Sequence, residues 1–289
     1  MLNIQIEEIM IRIPIICCNG IGDSLLLLSR MPISLLGRLG FRFRILYISD
    51  GHPAARILIP IFREIKYCEY SERKPTSLES KVFTKLLSLF GRIPFLFAVP
   101  LGGDGSARYE CAPQERKRIL LHTHLDGHHG WKGAVAKIWA LENWIELCRS
   151  LDKLQFEVFI LEWDSSSFDA LTSACPYLKD GRKGSDVETM RSFEFYDCLF
   201  SVDSWSKYVA AWYRIPQVVV VPDLRTGYCG FEEISPDEFA RWWFHGIIHH
   251  KGVIVIGLEK AGDTYSYTLP SMNDLEVYVA LEKILDVLR

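Results

Sequence analysis

The stretch from Asp197 to Asp223, DCLFSVDSWSKYVAAWYRIPQVVVVPD, constrains the fold more than any other. CLFSV is an apolar run of strand length, closed by the polar turn VDS. In WSKYVAAWY, the residues Trp205, Tyr208, Val209 and Trp212 recur at i, i+3, i+4 and i+7, the spacing of a helix with one buried face. Pro216 ends that helix. The following QVVVV is β-branched and does not alternate, as in a strand buried on both faces. Strand, short helix and strand in so few residues make a βαβ unit, which calls for a parallel sheet and a right-handed crossover. Ligands of such sheets bind beyond the carboxyl ends of the strands, and Asp203 and Ser204 fall there, at a helix N-terminus. Both residues can also be read simply as caps of that helix.

At 289 residues the chain is long for one core and comfortable for two. Its 49% apolar and 24% charged residues describe a folded globular protein, neither disordered nor membrane-spanning. MLNIQIEEIMIRIPIICC carries acids where a signal peptide carries bases, so it reads as a buried first strand. The 8 cysteines form no CxxC pair and fit a reduced cytoplasmic compartment. Charge is unevenly spread: residues 1–118 hold 17 Lys+Arg against 11 Asp+Glu, and the remainder holds 16 against 25. A basic first half suits an anionic partner or a peripheral seat on a membrane surface; ordinary scatter of solvated charge accounts for it equally well. No nucleic-acid partner is expected.

The chain then alternates strand and helix twice over. IMIRIPIICC, FRILYIS, KYCEYS and PFLFAVP read as strands. LLLLSRMPISLLGRLG, HPAARILIPIFREIK (broken or kinked near Pro60) and SLESKVFTKLLSLFG, opened by Ser77, read as helices. LGGDGSARYECAPQERKR has no apolar period and reads as a linker. Beyond it come the strands ILLHT, FEVFILEW, KGVIVIG and YSYTL. Among them lie the helices LENWIELCRSLDK, SSFDALTSACP and SPDEFARWWFHGII, and finally MNDLEVYVALEKILDVL. The expected class is therefore α/β, two Rossmann-like units with mostly parallel sheets, divided as 1–110, a linker at 111–118, 119–271 and a last helix at 272–289.

Three clusters could carry chemistry. Gly20-Ile-Gly22-Asp23-Ser24 lies between the first strand and helix; its glycines let a backbone approach, and Asp23 is either an N-cap or a carboxylate placed to take a proton from a hydroxyl. Lys137 precedes the helix that starts near Leu141, the wrong sign for its dipole, a conflict that a bound phosphate or diphosphate would resolve. His122, His124, Asp126, His128 and His129 approach the HxHxDH zinc motif of the metallo-β-lactamase fold, but Gly127 stands where the third His must follow the Asp. A zinc hydrolase built on them is a minor alternative.

Taken in order, these stretches resemble glycosyltransferase family 9, the heptosyltransferase-like group with a GT-B fold. Gly22-Asp23 with LLLLSRMPISLL is similar to the family's opening turn and helix. Lys137-Ile-Trp139-Ala-Leu-Glu-Asn-Trp144 is similar to K-x-W-P-x-x-x-W, with Ala140 in place of Pro. Asp203-Ser-Trp-Ser-Lys-Tyr208-Val-Ala-Ala211 through Pro216 is similar to D-[ST]-G-x-x-H-x-A-A-x-x-x-x-P, with Trp205 for Gly and Tyr208 or Lys207 for His. The resemblance implies a nucleotide-sugar-dependent, metal-independent, inverting transferase without a cofactor, acting on a glycan or other anionic surface-polymer acceptor. It implies Asp23 as base, Gly22, Thr123, Lys137, Asp203 and Ser204 around the donor, and a last helix that returns to the first domain. A GT-B-shaped binding protein without turnover is the other expectation.

Overall fold

A computed structural model describes residues 12–18, 20–48, 54–93, 96–101, 116–123, 135–223, 225, 234–244, 247 and 252–289. The chain divides into two compact units, Met1–Ile93 with Phe97–Asp104 and Pro94–Leu96 with Gly105–Arg289.

The first unit is built on three parallel strands, β1 (Arg12–Cys18), β2 (Arg42–Ile48) and β3 (Cys68–Ser71), in that spatial order. Arg12 pairs with Arg42 and Phe43 with Cys68. Apolar β2 residues Phe43, Ile45, Leu46 and Tyr47 are buried with Leu25, Leu28, Leu58, Ile61 and Phe62 from the helices. The single first helix expected from LLLLSRMPISLLGRLG is two, α1 (Ile21–Ser29) and α2 (Ile33–Arg38). Pro32 divides them, because its ring disfavours helical backbone in the residue before it and it brings no N–H. By contrast, α3 (Ala55–Glu64) runs through Pro60, its Leu58, Ile61 and Phe62 buried in the core. The helix α4 (Ser77–Phe90) opens on Thr76 rather than Ser77, in a capping box with Glu79. PFLFAVP is not the fourth strand it resembled. Its described part, residues 96–100, is irregular, and one bridge, Leu101 to Ile65, follows it.

The second unit carries a six-stranded, all-parallel sheet. Its strands are β4 (Arg118–His122), β5 (Glu157–Leu161), β6 (Lys179–Asp180), β7 (Cys198–Val202), β8 (Gln217–Val220) and β9 (Val253–Ile256), in the order β6-β5-β4-β7-β8-β9. Counted from the first strand of the unit this is 3-2-1-4-5-6, the doubly wound dinucleotide-fold order. Alternate residues face opposite layers. Ile119, Leu121, Phe200, Val218 and Val220 join one core with Trp144, Leu147 and Leu151 of α5 (Leu141–Lys153) and Leu171 of α6 (Ser165–Ala174). Val219 and Val221 join another with Phe239 of α9 (Pro236–Phe239) and Phe244 of the π-helical turn Ala240–Phe244. Burial on both sides explains why QVVVV does not alternate. Between β6 and β7 lies a short helix that the sequence did not announce, named in chain order α7 (Asp186–Arg191), and the central crossover is α8 (Ser206–Tyr213). YSYTL becomes β11 (Thr264–Tyr267), antiparallel to β10 (Leu258–Ala261) in a hairpin outside the main sheet.

The resemblance sends the last helix, α10 (Val277–Val287), back to the first domain; within the second unit its Ala280 and Ile284 lie in the core that α5 also lines. Packing decides this, since the two side chains are fully buried there. Ile284→Ala should therefore cost about 2–5 kcal/mol in the unfolding of the second unit. Tryptophan fluorescence in urea isolates that unit, because all 8 tryptophans lie at or beyond residue 131; an unchanged midpoint would contradict this seat for α10.

Candidate functional site

The strand order of the second unit reverses between β4 and β7, so the crossovers beside them leave on opposite faces and a crevice opens at their carboxyl ends. His122 ends β4, Thr123 follows it, and Asp203 and Ser204 follow β7. Lys137 arrives from elsewhere in the chain. It closes a 3-10 turn, Val135–Lys137, whose exit is anchored by Trp139. That indole is fully buried, donates from Nε1 to Leu275 O at 3.1 Å and meets the Trp144 ring edge-on at 5.0 Å. Ala140 N–H donates to Asn273 Oδ1 at 2.9 Å, fixing the start of α5. Trp139 is thus the peg that delivers Lys137 to the crevice.

There Lys137 Nζ donates to Asp203 O at 2.8 Å and to its Oδ2 at 3.0 Å. Lys207, in the first turn of α8, donates to Asp203 Oδ1. All three residues are buried, and the Lys207 ammonium also lies over the rings of Tyr208 (4.4 Å) and Phe244 (4.8 Å). Burial raises the carboxyl pKa of Asp203, but Lys137 and Lys207 together outweigh it and hold the group well below the usual carboxylate range. Two ammonium groups thus share one carboxylate at the N-terminus of α8. The sequence singled out Lys137 and Asp203; it missed Lys207 as their partner, although the i, i+4 spacing from Asp203 was there to find.

A second network sits beside the first. His122 Nδ1 lies 2.8 Å from Ser206 Oγ and 2.9 Å from Ser204 Oγ, and the two hydroxyls are 2.9 Å apart. Ser204 is not the N-cap, a position held by Trp205, but its hydroxyl still receives the Ser206 N–H at 3.4 Å. The His122 ring is flanked by Trp163 at 5.7 Å and Trp205 at 5.4 Å, and Trp205 also packs on Phe193 at 5.9 Å. Thr123 donates to the buried Glu162 Oε2 at 2.7 Å, while Glu162 Oε1 accepts the N–H groups of Trp163 and Asp164. His122, Glu162 and Ser206 were not picked out as members of this arrangement, because nothing local in the sequence ties the end of β4 to the ends of β5 and β7.

Thr123, Lys137, Asp203 and Ser204 are thus brought to one strand edge. Gly22 and Asp23 belong to the first unit, where α1 starts earlier than expected. Gly20 is its N-cap and Ser24 N–H already bonds to Gly20 O at 3.2 Å, so Gly22 and Asp23 lie in the first turn, half-buried. Asp23 stands three residues past the cap; it is not the cap itself. Of the histidine cluster, His122 faces the serines, and His124, Asp126, His128 and His129 lie outside the described residues. Among the described residues no group of three or more His, Cys, Asp or Glu is placed to hold a metal ion.

No protein-family model and no curated protein matches the chain. Solved structures do. The E. coli ADP-heptose lipopolysaccharide heptosyltransferase II superposes with a TM-score of 0.59 at 14% identity over 96% of this chain and 98% of that one. A glycosyl transferase family 9 protein from Veillonella parvula gives 0.59 at 8% over 96% and 97%. The E. coli heptosyltransferase WaaC, with ADP-2-deoxy-2-fluoro heptose, gives 0.55 at 12% over 96% and 99%. At these identities the likeness is one of fold: the chain has the GT-B-like architecture of two α/β units.

Asp203→Asn should destabilise the second unit by about 3–5 kcal/mol, because two buried ammonium groups lose their counter-charge. Adding Lys207→Met should recover part of that loss; no recovery would mean that the ion pairs are not its cause. The pH dependence follows from the depressed pKa. The carboxylate's contribution is complete above its unfolded value of about 3.9 and is lost as pH falls towards the lower folded value. Urea midpoints should therefore fall more steeply below about pH 4 in the wild type than in Asp203→Asn.

Proposed function

We propose that the chain is a nucleotide-sugar-dependent glycosyltransferase of inverting type, acting on a hydroxyl of a glycan or other anionic surface polymer at the cytoplasmic face of a membrane. The observation that carries this reading is the gathering of Lys137, Thr123 and Ser204 with the α8 N-terminus at the strand-order reversal of the second unit. A diphosphate needs N–H and hydroxyl donors and compensating positive charge at one spot, and that edge offers them. The WaaC structure in this fold holds an ADP-sugar analogue, which supports a nucleotide diphosphate sugar as the donor here.

In the proposed reaction the acceptor hydroxyl gives its proton to the Asp23 carboxylate, and its oxygen attacks the anomeric carbon opposite the leaving group. The bond from that carbon to the diphosphate oxygen breaks, and the charge that develops on the diphosphate is met by Lys137, the Ser204 hydroxyl and the end of α8. Asp203 then acts by positioning, holding Lys137 extended towards the edge. Gly22, ahead of Asp23, lets the acceptor chain approach α1. Positive charge supplied by side chains makes a metal unnecessary to this scheme. A GT-B-shaped binder without turnover is the competing reading, favoured by Trp205, whose ring packs among His122, Trp163 and Phe193.

Two measurements decide between them. In calorimetry against a panel of nucleoside diphosphates, Lys137→Ala should weaken the ligand that binds by roughly 1.5–3 kcal/mol, the scale of one charged hydrogen bond. Equal affinity would remove Lys137 from the donor site. With donor saturating, Asp23→Asn should keep its fold and donor affinity yet lose roughly 10²–10⁴-fold in transfer. Retained turnover would end the assignment of the base, and binding without any transfer over the donor panel would favour the silent binder.

A further inference from the structure

Helix α4 of the first unit is apolar on both sides. Its inner side chains, Phe83 with Leu86, Leu87 and Phe90, are buried or half-buried, and the helix packs on β1. On the outer side Leu78 is 69% exposed, Val82 37% and Leu89 64%. At about 100° per residue these three fall within an arc of roughly 40°. The exposed Lys85 lies beside that stripe and the exposed Lys81 one step further round. Helix α4 carries one acid, Glu79, which is engaged by Arg73 and by the capping box with Thr76. Lys74 precedes the helix and Arg92 follows it.

An exposed apolar stripe edged by lysines and without an opposing carboxylate has two needs, burial of its leucines and neutralisation of its cations. A second copy docking face to face would meet the first need, but would set Lys81 and Lys85 against their own counterparts. An anionic bilayer meets both. The side chains enter the boundary of headgroups and acyl chains, and the lysines stay at the charged surface. We propose that the outer face of α4 docks the first unit on an anionic lipid membrane, with Leu78, Val82 and Leu89 inserted and Lys81 and Lys85 on the headgroups. The basic excess of residues 1–118 thereby acquires a location. The proposal does not depend on the donor site, which lies in the other unit.

Co-sedimentation of the full chain with vesicles tests it, using phosphatidylcholine alone and phosphatidylcholine mixed with phosphatidylglycerol. The wild type should bind the mixed vesicles, more weakly as salt rises, and leave the neutral ones in the supernatant. Replacing Leu78, Val82 and Leu89 together by Gln should weaken binding at least about 10-fold. Lys81→Gln with Lys85→Gln should weaken it roughly 30-fold at low salt, the effect of two basic residues near such a surface. Both variants should melt with the wild type and bind nucleoside diphosphate as it does, since the side chains are exposed. No binding by the wild type, equal binding to neutral vesicles, or undiminished binding by the Gln variants would overturn the proposal. So would sedimentation velocity showing a dimer that the same substitutions dissociate.

Discussion

The Asp203 carboxylate between Lys137 and Lys207 is the interaction on which the second unit's candidate edge depends. It joins three pieces of chain that the sheet alone does not hold together: the end of β7, the first turn of α8 and the turn ahead of α5. Each partner would be costly to bury without the others. The N-terminal dipole of α8 at the same edge is what the proposed diphosphate site draws on. Structural and proposed binding roles therefore fall on the same side chains, and a variant at Asp203 disturbs both.

The edge exists because of the strand order. In a sheet that runs 3-2-1-4-5-6, the helices that flank the first and fourth strands lie on opposite faces, so a gap opens between the carboxyl ends of those strands. Residues just past the strand ends line the crevice: His122 and Thr123 at β4, Glu162 at β5, Asp203 to Ser206 at β7. Their mutual bonds fix them, with Glu162 holding Thr123 and His122 holding two serine hydroxyls. Trp163 and Trp205 close over the imidazole and shape that side of the edge. The first unit has a simpler sheet of three strands and exposes the apolar outer stripe of α4.

The α/β class, the βαβ unit of 197–223 and the burial of QVVVV on both faces were legible in the sequence, because periodicity and β-branching are local signals of local structure. The resemblance grouped Thr123, Lys137, Asp203 and Ser204, which the fold brings to one strand edge, while Gly22 and Asp23 lie in the first unit. Proline placement was legible only in part: Pro32 splits a helix as its chemistry demands, yet α3 continues through Pro60. PFLFAVP has the composition of a strand, but its described residues join no ladder, and the one bridge nearby is at Leu101, just beyond it.

What only the tertiary structure decided are the partners of residues far apart in the chain. Lys137 and Asp203 are separated by 66 positions, and His122 and Ser206 by 84, and no periodicity records which strand lies next to which. The seat of α10 was decided by packing, since an amphipathic helix states that it has an apolar face and not which core will take it. Lys207 shows the division within one residue. Its spacing from Asp203 was written in the sequence, but its burial beneath Tyr208 and Phe244, which makes the ion pair strong, depends on the π-helical turn that brings Phe244 over α8. Local propensity fixed the elements of this protein; strand order and long-range burial fixed the chemistry at their ends.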